Sequence, residues 1–127
     1  DVLRIKYTLG QRTRAAYRRN DASEMSLLIE DYKKLELAIG EFYRAFRAQW
    51  DRECKPNGFE KHDIRIGGLL ARLETAKKRV EAFVSGDEER LPELEEKRLP
   101  FRPVQEGEEH TLCACNSWKM IVSASPV

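Results

Sequence analysis

One apolar pattern dominates the first half of the chain. Between Asp21 and Trp50, large apolar side chains recur at steps of three and four residues: Leu28, Tyr32, Leu35, Ile39, Phe42, Phe46 and Trp50. This spacing puts all of them on one face of an α-helix, and a stripe of this length is typical of a long helix packed against neighbours. The pattern therefore predicts a helix from Asp21 to Trp50, on the order of 45 Å long at about 1.5 Å per residue.

A shorter helix is predicted before it. From about Val2 to Arg19, apolar residues recur at helical spacing, with Arg and Lys on the opposite face. Asn20 and Asp21 separate the two helices. Asp21 is expected to cap the second helix, and Glu24, three residues later, completes a pattern that resembles a capping box.

A third helix follows a turn that contains Pro56 and Gly58, which end the second helix. Its expected start is Asp63, whose carboxylate suits an N-cap, and its expected end is Gly86. Its apolar residues form one stripe: Ile66, Leu69, Leu70, Leu73, Ala76, Val80, Phe83 and Val84.

These elements predict a mainly α fold. Two long stripes joined by a short turn form an antiparallel hairpin, and the first helix completes a three-helix bundle over residues 1–86. Residues 87–127 are expected to form an acidic, proline-containing connector and an irregular C-terminal segment, with a short strand-like tail between Thr111 and Ala124. We expect this part to pack on the bundle or on another part of the protein, so that the whole is one domain.

Composition excludes several classes of partner. The chain has 127 residues, of which 41% are hydrophobic and 35% charged, and its net charge is +1. This balance fits a single folded domain, and it gives no global field that would attract nucleic acid or an anionic membrane. No apolar run approaches the length of a membrane span. We therefore expect neither nucleic acid nor membrane as a partner. The chain begins with Asp1, so we expect it to be a piece of a longer protein.

The three cysteines, Cys54, Cys113 and Cys115, give no sign of a disulfide framework, because their number is odd. With His62 and His110 they do not show the ligand spacing typical of a zinc site. We expect free thiols in a reducing compartment, a cytoplasmic location, and neither metal nor cofactor.

The segment from Trp50 to Leu69 carries more chemistry than a connection between helices needs. It holds nine Asp, Glu, Lys, Arg or His side chains between Asp51 and Arg65, around a Lys-Pro-Asn-Gly turn. One interpretation is structural: aromatic residues close the end of the bundle and the charges are solvated. The other is that this segment contacts a substrate cleft or a partner. The candidate residues for that role are Trp50, Glu53, Lys55, Phe59, Glu60, Asp63 and Arg65, with Trp118 in the tail.

Several motifs follow one another along nearly the whole chain: Leu9-Gly10, Arg12-Thr13-Arg14-Ala15-Ala16-Tyr17, Phe42-Tyr43, Phe46-Arg47, Lys55-Pro56-Asn57-Gly58-Phe59-Glu60, Asp63-Ile64-Arg65, Gly67-Gly68-Leu69, Leu94-Glu95-Glu96, Leu99-Pro100-Phe101 and Asn116-Ser117-Trp118. In this order and spacing they resemble the C-terminal helical domain of bacterial exo-β-N-acetylhexosaminidases of glycoside hydrolase family 20.

The resemblance implies a parent enzyme that removes terminal β-linked N-acetylhexosamine with an adjacent Asp-Glu pair and the acetamido group of the substrate. That pair lies in a (β/α)8 barrel, which takes about 250 residues. Gly86-Asp87-Glu88 imitates the catalytic triplet, but it follows an amphipathic helix, where Gly is a C-cap and Asp an N-cap. We therefore assign no catalytic residue to this chain.

The resemblance thus predicts a non-catalytic accessory domain. Such a domain is expected to pack on its own catalytic barrel and to shape the active-site cleft or a homodimer interface. The alternative is a stand-alone cytoplasmic helical module whose hairpin tip binds a protein partner.

Overall fold

The computed structural model describes residues 2–96. These residues form α1 (Val2–Arg18), α2 (Ala22–Glu53), α3 (Glu60–Ser85) and the short α4 (Pro92–Glu95). Helices α1 and α3 both pack against α2, which is the central helix. The prediction of a mainly α fold with three long helices is confirmed. The predicted strand-like tail lies outside the described residues. Among residues 2–96, no helix combines the length and the apolar character that crossing a bilayer requires.

The turn between α1 and α2 is held by backbone and side-chain caps. Asn20 takes the left-handed conformation, with φ of 53°. The Asp21 carboxylate accepts a hydrogen bond from the Glu24 amide at 3.0 Å, which confirms Asp21 as the N-cap. The predicted return bond of the capping box is absent between these residues. The Asp21 amide instead donates to the Ala16 carbonyl, and the Glu24 carboxylate pairs with Arg19.

The core lies along the first half of α2. Its buried residues come from all three long helices and the connector: Leu9, Thr13 and Ala16 of α1, Met25, Leu28, Tyr32, Leu35 and Ile39 of α2, Leu73 and Val80 of α3, and Leu91. Each apolar side chain that leaves water in this way contributes about 1.5–3 kcal/mol to stability.

One polar pair is buried in this core. The Thr13 hydroxyl donates to the Leu9 carbonyl at 2.9 Å, and 3.1 Å separates it from the Tyr32 hydroxyl. Because a hydroxyl has one proton, Tyr32 must be the donor to Thr13. Burial raises the pKa of Tyr32. The pair therefore joins α1 to α2 without leaving a buried hydroxyl unsatisfied.

Helix α1 is too short to cover all of α2. It has 17 residues, against 32 in α2. At about 1.5 Å per residue, α1 spans only about half of its neighbour. The expectation that Phe42 belongs to the core is therefore wrong: its side chain is 50% exposed. Beyond this point the molecule is a hairpin of α2 and α3.

The end of α3 is as predicted. Gly86 has φ of 85°, in the left-handed region, and its amide donates to the Phe83 carbonyl at 3.2 Å. The Glu88 amide reaches back to the Ala82 carbonyl at 3.1 Å. These two bonds satisfy carbonyls that the last turn of a helix leaves free.

The first part of the connector, residues 87–96, is fixed to the bundle by Arg14 of α1. Its guanidinium donates to the carbonyls of Glu93 at 3.2 Å, Leu94 at 2.9 Å and Glu96 at 2.7 Å. These are the carbonyls that the single turn of α4 leaves without helical partners. Leu91, just before α4, is fully buried. The connector therefore packs on the bundle through at least Glu96.

Tyr17 of α1 also holds residues 87–96 on the bundle. Its hydroxyl accepts a hydrogen bond from the Leu91 amide at 3.1 Å and donates to the Glu95 carboxylate at 2.6 Å. Arg90 pairs with the same carboxylate. The bonds from Arg90 and Tyr17 lower the pKa of Glu95 to about 2. The Tyr17 ring also contacts Phe83 edge-on, with 5.1 Å between centroids, so the connector is tied to both α1 and α3.

Burial of the α2 stripe can be tested at two leucines that lie two residues apart. Leu35 is fully buried, whereas Leu37 is 71% exposed on the other side of α2. Leu35→Ala should lower the free energy of unfolding by about 3 kcal/mol because it leaves a cavity. Leu37→Ala should change it by less than about 0.5 kcal/mol. Urea unfolding of both variants measures the difference, and equal losses would contradict the assigned core.

The bonds of Glu95 predict a specific pH dependence. Its pKa is lower in the folded state than the ordinary value of 4.5, so the interaction stabilises the fold above about pH 4.5 and is lost as the pH falls towards 2. The stability difference between the wild type and Glu95→Gln should thus be constant above about pH 4.5 and shrink as the pH falls from there towards 2. Urea unfolding as a function of pH measures this difference, and a difference that stays constant down to pH 2 would refute the assignment.

Candidate interaction site at the hairpin tip

The hairpin tip, residues 50–69, is closed by three hydrogen bonds. The Cys54 amide donates to the Trp50 carbonyl at 2.8 Å and ends α2. The Trp50 indole N–H donates to the Lys55 carbonyl at 2.8 Å. The Gly58 amide donates to the Glu60 carboxylate at 2.7 Å, and Gly58 itself has φ of 105°, a conformation that favours glycine. Trp50 thus has a structural role, because its polar edge holds the turn.

Helix α3 starts earlier than predicted. It begins at Glu60, and the cap residue is Phe59, which has helical backbone angles and makes no side-chain cap. The prediction of Asp63 as the N-cap is therefore wrong. The Phe59 carbonyl already accepts the amides of His62 and Asp63, so the helix is under way when the chain reaches Asp63.

The Asp63 carboxylate has a partner on the other helix. It accepts a hydrogen bond from the Tyr43 hydroxyl of α2 at 2.8 Å. This bond to a carboxylate raises the pKa of Tyr43. Asp63 therefore links α2 to α3 rather than capping α3, and a partner from a distant part of the chain has outweighed a local capping preference.

An aromatic cluster surrounds Phe59, which is only 1% exposed. The rings whose centroids lie within 5.3–6.0 Å of it belong to Phe46, Trp50, His62 and Tyr43. The Arg47 guanidinium lies 4.7 Å from the centroid of the Phe59 ring and pairs with Asp51 at 3.0 Å. Tilted and edge-to-face ring contacts of this kind stabilise by about 0.5–1.5 kcal/mol each beyond burial.

The structure separates the sequence candidates by exposure. Glu53, Lys55 and Glu60 are exposed, Trp50, Asp63 and Arg65 are half-buried, and Phe59 is buried. Phe59 is therefore not accessible to a ligand, and it acts by supporting Trp50. Trp118 lies outside the described residues. Because Trp50 is half-buried against Phe59, the tip leaves part of the indole ring accessible, and two exposed residues of opposite charge, Glu53 and Lys55, follow Trp50 within five positions in the chain.

The sequence candidates did not include the two basic residues of this cluster, His62 and Arg47. His62 faces the rings of Phe46 and Trp50, with centroid distances of 4.9 and 5.4 Å. Arg47 covers Phe59. A local signal existed only for Arg47, which has the i, i+4 spacing of a helical ion pair with Asp51. The placement of His62 depends on how α2 and α3 meet.

The two carboxylates of the Gly86-Asp87-Glu88 triplet, which resembles the catalytic triplet of the family, both have structural partners. The Asp87 carboxylate accepts a hydrogen bond from the Ser85 hydroxyl at 2.7 Å, and Glu88 pairs with Arg79.

At the tip, the Glu60 carboxylate accepts hydrogen bonds from the amides of Glu60 itself and of Gly58. These bonds lower the pKa of Glu60, which keeps it ionised at neutral pH. A general acid needs the opposite shift. Glu60 is thus unsuited to donate a proton.

Gly67, in the second turn of α3, is open to its surroundings. A Cβ built on it would meet no atom within 4 Å. Two glycines inside a helix cost about 2 kcal/mol relative to two alanines, a cost that the close approach of another backbone or a ligand would explain. Within the described chain nothing approaches Gly67, so the space beside it is available to a partner.

Metal ligands do not gather in the part of the chain that the structure describes, where no three His, Cys, Asp or Glu side chains are grouped suitably. Cys54 is exposed at the tip. Cys113, Cys115 and His110 lie outside the described residues.

Comparison with protein families identifies the chain. A family model described as the Glycoside Hydrolase 20C C-terminal domain matches residues 1–114. The chain belongs to this family. The resemblance inferred from the sequence motifs is therefore confirmed, and membership of a C-terminal domain family implies a catalytic domain as partner. Comparison with curated proteins gives no match.

Two glycines of this glycoside hydrolase C-terminal domain should respond oppositely to alanine. Gly58→Ala forces a left-handed conformation on a residue with a side chain and should destabilise the chain by about 1–3 kcal/mol. Gly67→Ala has free space and a helical backbone, so it should stabilise by up to about 1 kcal/mol. Thermal unfolding of both variants is the measurement. Stabilisation by Gly58→Ala would contradict the turn described above.

Proposed function

We propose that this chain is the non-catalytic C-terminal accessory domain of a β-N-acetylhexosaminidase that removes terminal β-linked N-acetylhexosamine. In this proposal it packs on the (β/α)8 barrel of the same protein, and its hairpin tip lies at the rim of the active-site cleft. The family match supports the accessory role, because it is a match to a C-terminal domain.

The observation that carries the proposed position of the tip is the set of contacts that hold the Trp50 side chain. Its ring contacts Phe46, Phe59 and His62, and its N–H is held by the Lys55 carbonyl. A side chain fixed in this way loses little conformational entropy when it contacts a ligand. The accessible part of the Trp50 ring is not required to join α2 to α3, because Phe59 and Tyr43 already make that contact.

The chemistry around Trp50 suits a sugar. An aromatic side chain offers an apolar surface to the C–H groups of a pyranose ring, whereas carboxylates accept hydrogen bonds from hydroxyl groups. Glu53 is an exposed acceptor close to Trp50 in the chain, and Lys55 is an exposed donor. The tip therefore has the means to position a substrate, while bond cleavage belongs to the barrel.

The stand-alone interaction module is the less supported proposal. The same tip would suit a protein partner, but the family match implies a catalytic domain instead. The reading frame upstream of residue 1 discriminates between them. A barrel-length sequence with a strand that ends in Asp-Glu supports the accessory domain, and a nearby start codon supports the module.

Kinetics of the full-length enzyme test the position of the tip. The double variant Glu53→Ala/Lys55→Ala should lower kcat/KM for a nitrophenyl N-acetylglucosaminide several-fold and leave Tm unchanged, because both side chains are exposed. Lys33→Ala is the matched control, since Lys33 is also exposed, in a surface pair with Glu30, far from the tip. Unchanged kinetics in the double variant would refute a role at the cleft.

A further inference from the structure

Helix α1 carries a second apolar face besides the one that enters the core. Leu3 is 77% exposed and Tyr7 is 85% exposed, and a Cβ on Gly10 would meet no atom within 4 Å. These three residues are spaced i, i+4 and i+7, so they lie in one row along the helix. We call this row the outer face of α1. The core row of the same helix contains Leu9, Thr13 and Ala16.

The contacts of α1 show where this outer face points. Arg14 follows Gly10 by four residues and Tyr7 by seven, so it continues the same row. Its guanidinium holds α4. Followed from Arg14 towards the start of α1, this row passes from a charged residue that contacts the connector to Gly10 and then to the large apolar residues Tyr7 and Leu3.

The start of α1 lies beside the exposed part of α2. Thr13 is opposite Tyr32, and the two helices are antiparallel. Ten residues back from Thr13 is Leu3, and ten residues forward from Tyr32 is Phe42, each a step of about 15 Å along its helix. Leu3 is thus level with Phe42, which is itself half exposed because α1 ends there. The outer face of α1 therefore lies at the level where the covering of α2 by α1 ends, in the half of the molecule that is nearer the tip.

Chain continuity decides which partner covers this surface. A C-terminal domain follows its catalytic domain, so the preceding polypeptide enters at the start of α1. Leu3 and Tyr7 lie within the first two turns from that point. A tethered neighbour has a high effective concentration at nearby surfaces, so it is favoured over any free partner. Exposed apolar patches of this kind mark protein interfaces.

We propose that the outer face of α1, with Leu3 and Tyr7 as its contact residues and Gly10 as a shallow recess between larger side chains, is the surface on which the catalytic domain packs. This inference rests on the proposed function for the presence of that domain, but not for a role of the tip in the cleft.

Hydroxyl-radical footprinting of the full-length protein tests the proposal. Tyr7 and Leu3 should be oxidised several-fold more slowly than their exposure in this domain implies, after correction for the intrinsic reactivity of each residue type. Leu27 is the internal control: it is 67% exposed and lies near the other end of α2, so its oxidation should match its exposure. Free oxidation of Tyr7 in the full-length protein would overturn the proposal.

Two further arms identify the partner that covers Tyr7. Protection that disappears when residues 97–127 are removed would mean that the tail of this chain covers the face, and protection that disappears on dilution to a monomer would mean that a second copy does. Either result overturns the proposal. Protection that survives both treatments supports it.

A substitution separates this proposal from the position of the tip. Tyr7→Glu in the full-length protein should split a single calorimetric transition into two, because the charge breaks contact between the domains, and Leu27→Glu should not. A single unchanged transition in Tyr7→Glu would count against the interface. If Tyr7 is protected but the Glu53→Ala/Lys55→Ala variant keeps full activity, the interface stands and the role at the cleft fails. If Tyr7 is freely oxidised but the double variant loses activity, only the interface is rejected.

Discussion

The apolar stripe of α2 is the constraint on which the rest of the structure depends. It runs the whole length of the helix, whereas α1 is only about half as long. The first half of the stripe is buried by two neighbours and the second half by α3 alone. This difference explains two features of the molecule: Phe42 is left half exposed where α1 ends, and the hairpin tip has a small core of its own around Phe59.

That second core supports the function that we propose for the tip. At the tip no third helix covers α2, and Phe59 supplies the buried apolar side chain instead. The rings of Tyr43, Phe46 and Trp50 enclose it from several directions. Trp50 is consequently held by several contacts and still partly accessible. In the role at the cleft that we propose, this support would fix the geometry of the tip before the substrate arrives.

The opposite end of the bundle is fixed by polar contacts. Arg14 and Tyr17 of α1 hold the connector through backbone carbonyls, one backbone amide and the Glu95 carboxylate, and Leu91 enters the main core. The chain therefore leaves the described part at a defined place, beside α1. The outer face lies further along the same helix, towards the start of α1, so one helix organises both the exit of the chain and the surface that we assign to the catalytic domain.

The sequence by itself determined the number of long helices, the cap at Asp21, the terminator at Gly86 and the apolar stripes of α2 and α3 that supply most of the main core, because helical periodicity and capping are local properties of the chain. It also identified the tip as unusual and showed the family. Only the tertiary structure decided that Asp63 binds Tyr43 instead of capping α3, that Phe59 is buried beneath Trp50, and that Leu3 and Tyr7 remain exposed. These outcomes depend on which helix covers which part of α2, and the contacts responsible join residues that are far apart in the sequence.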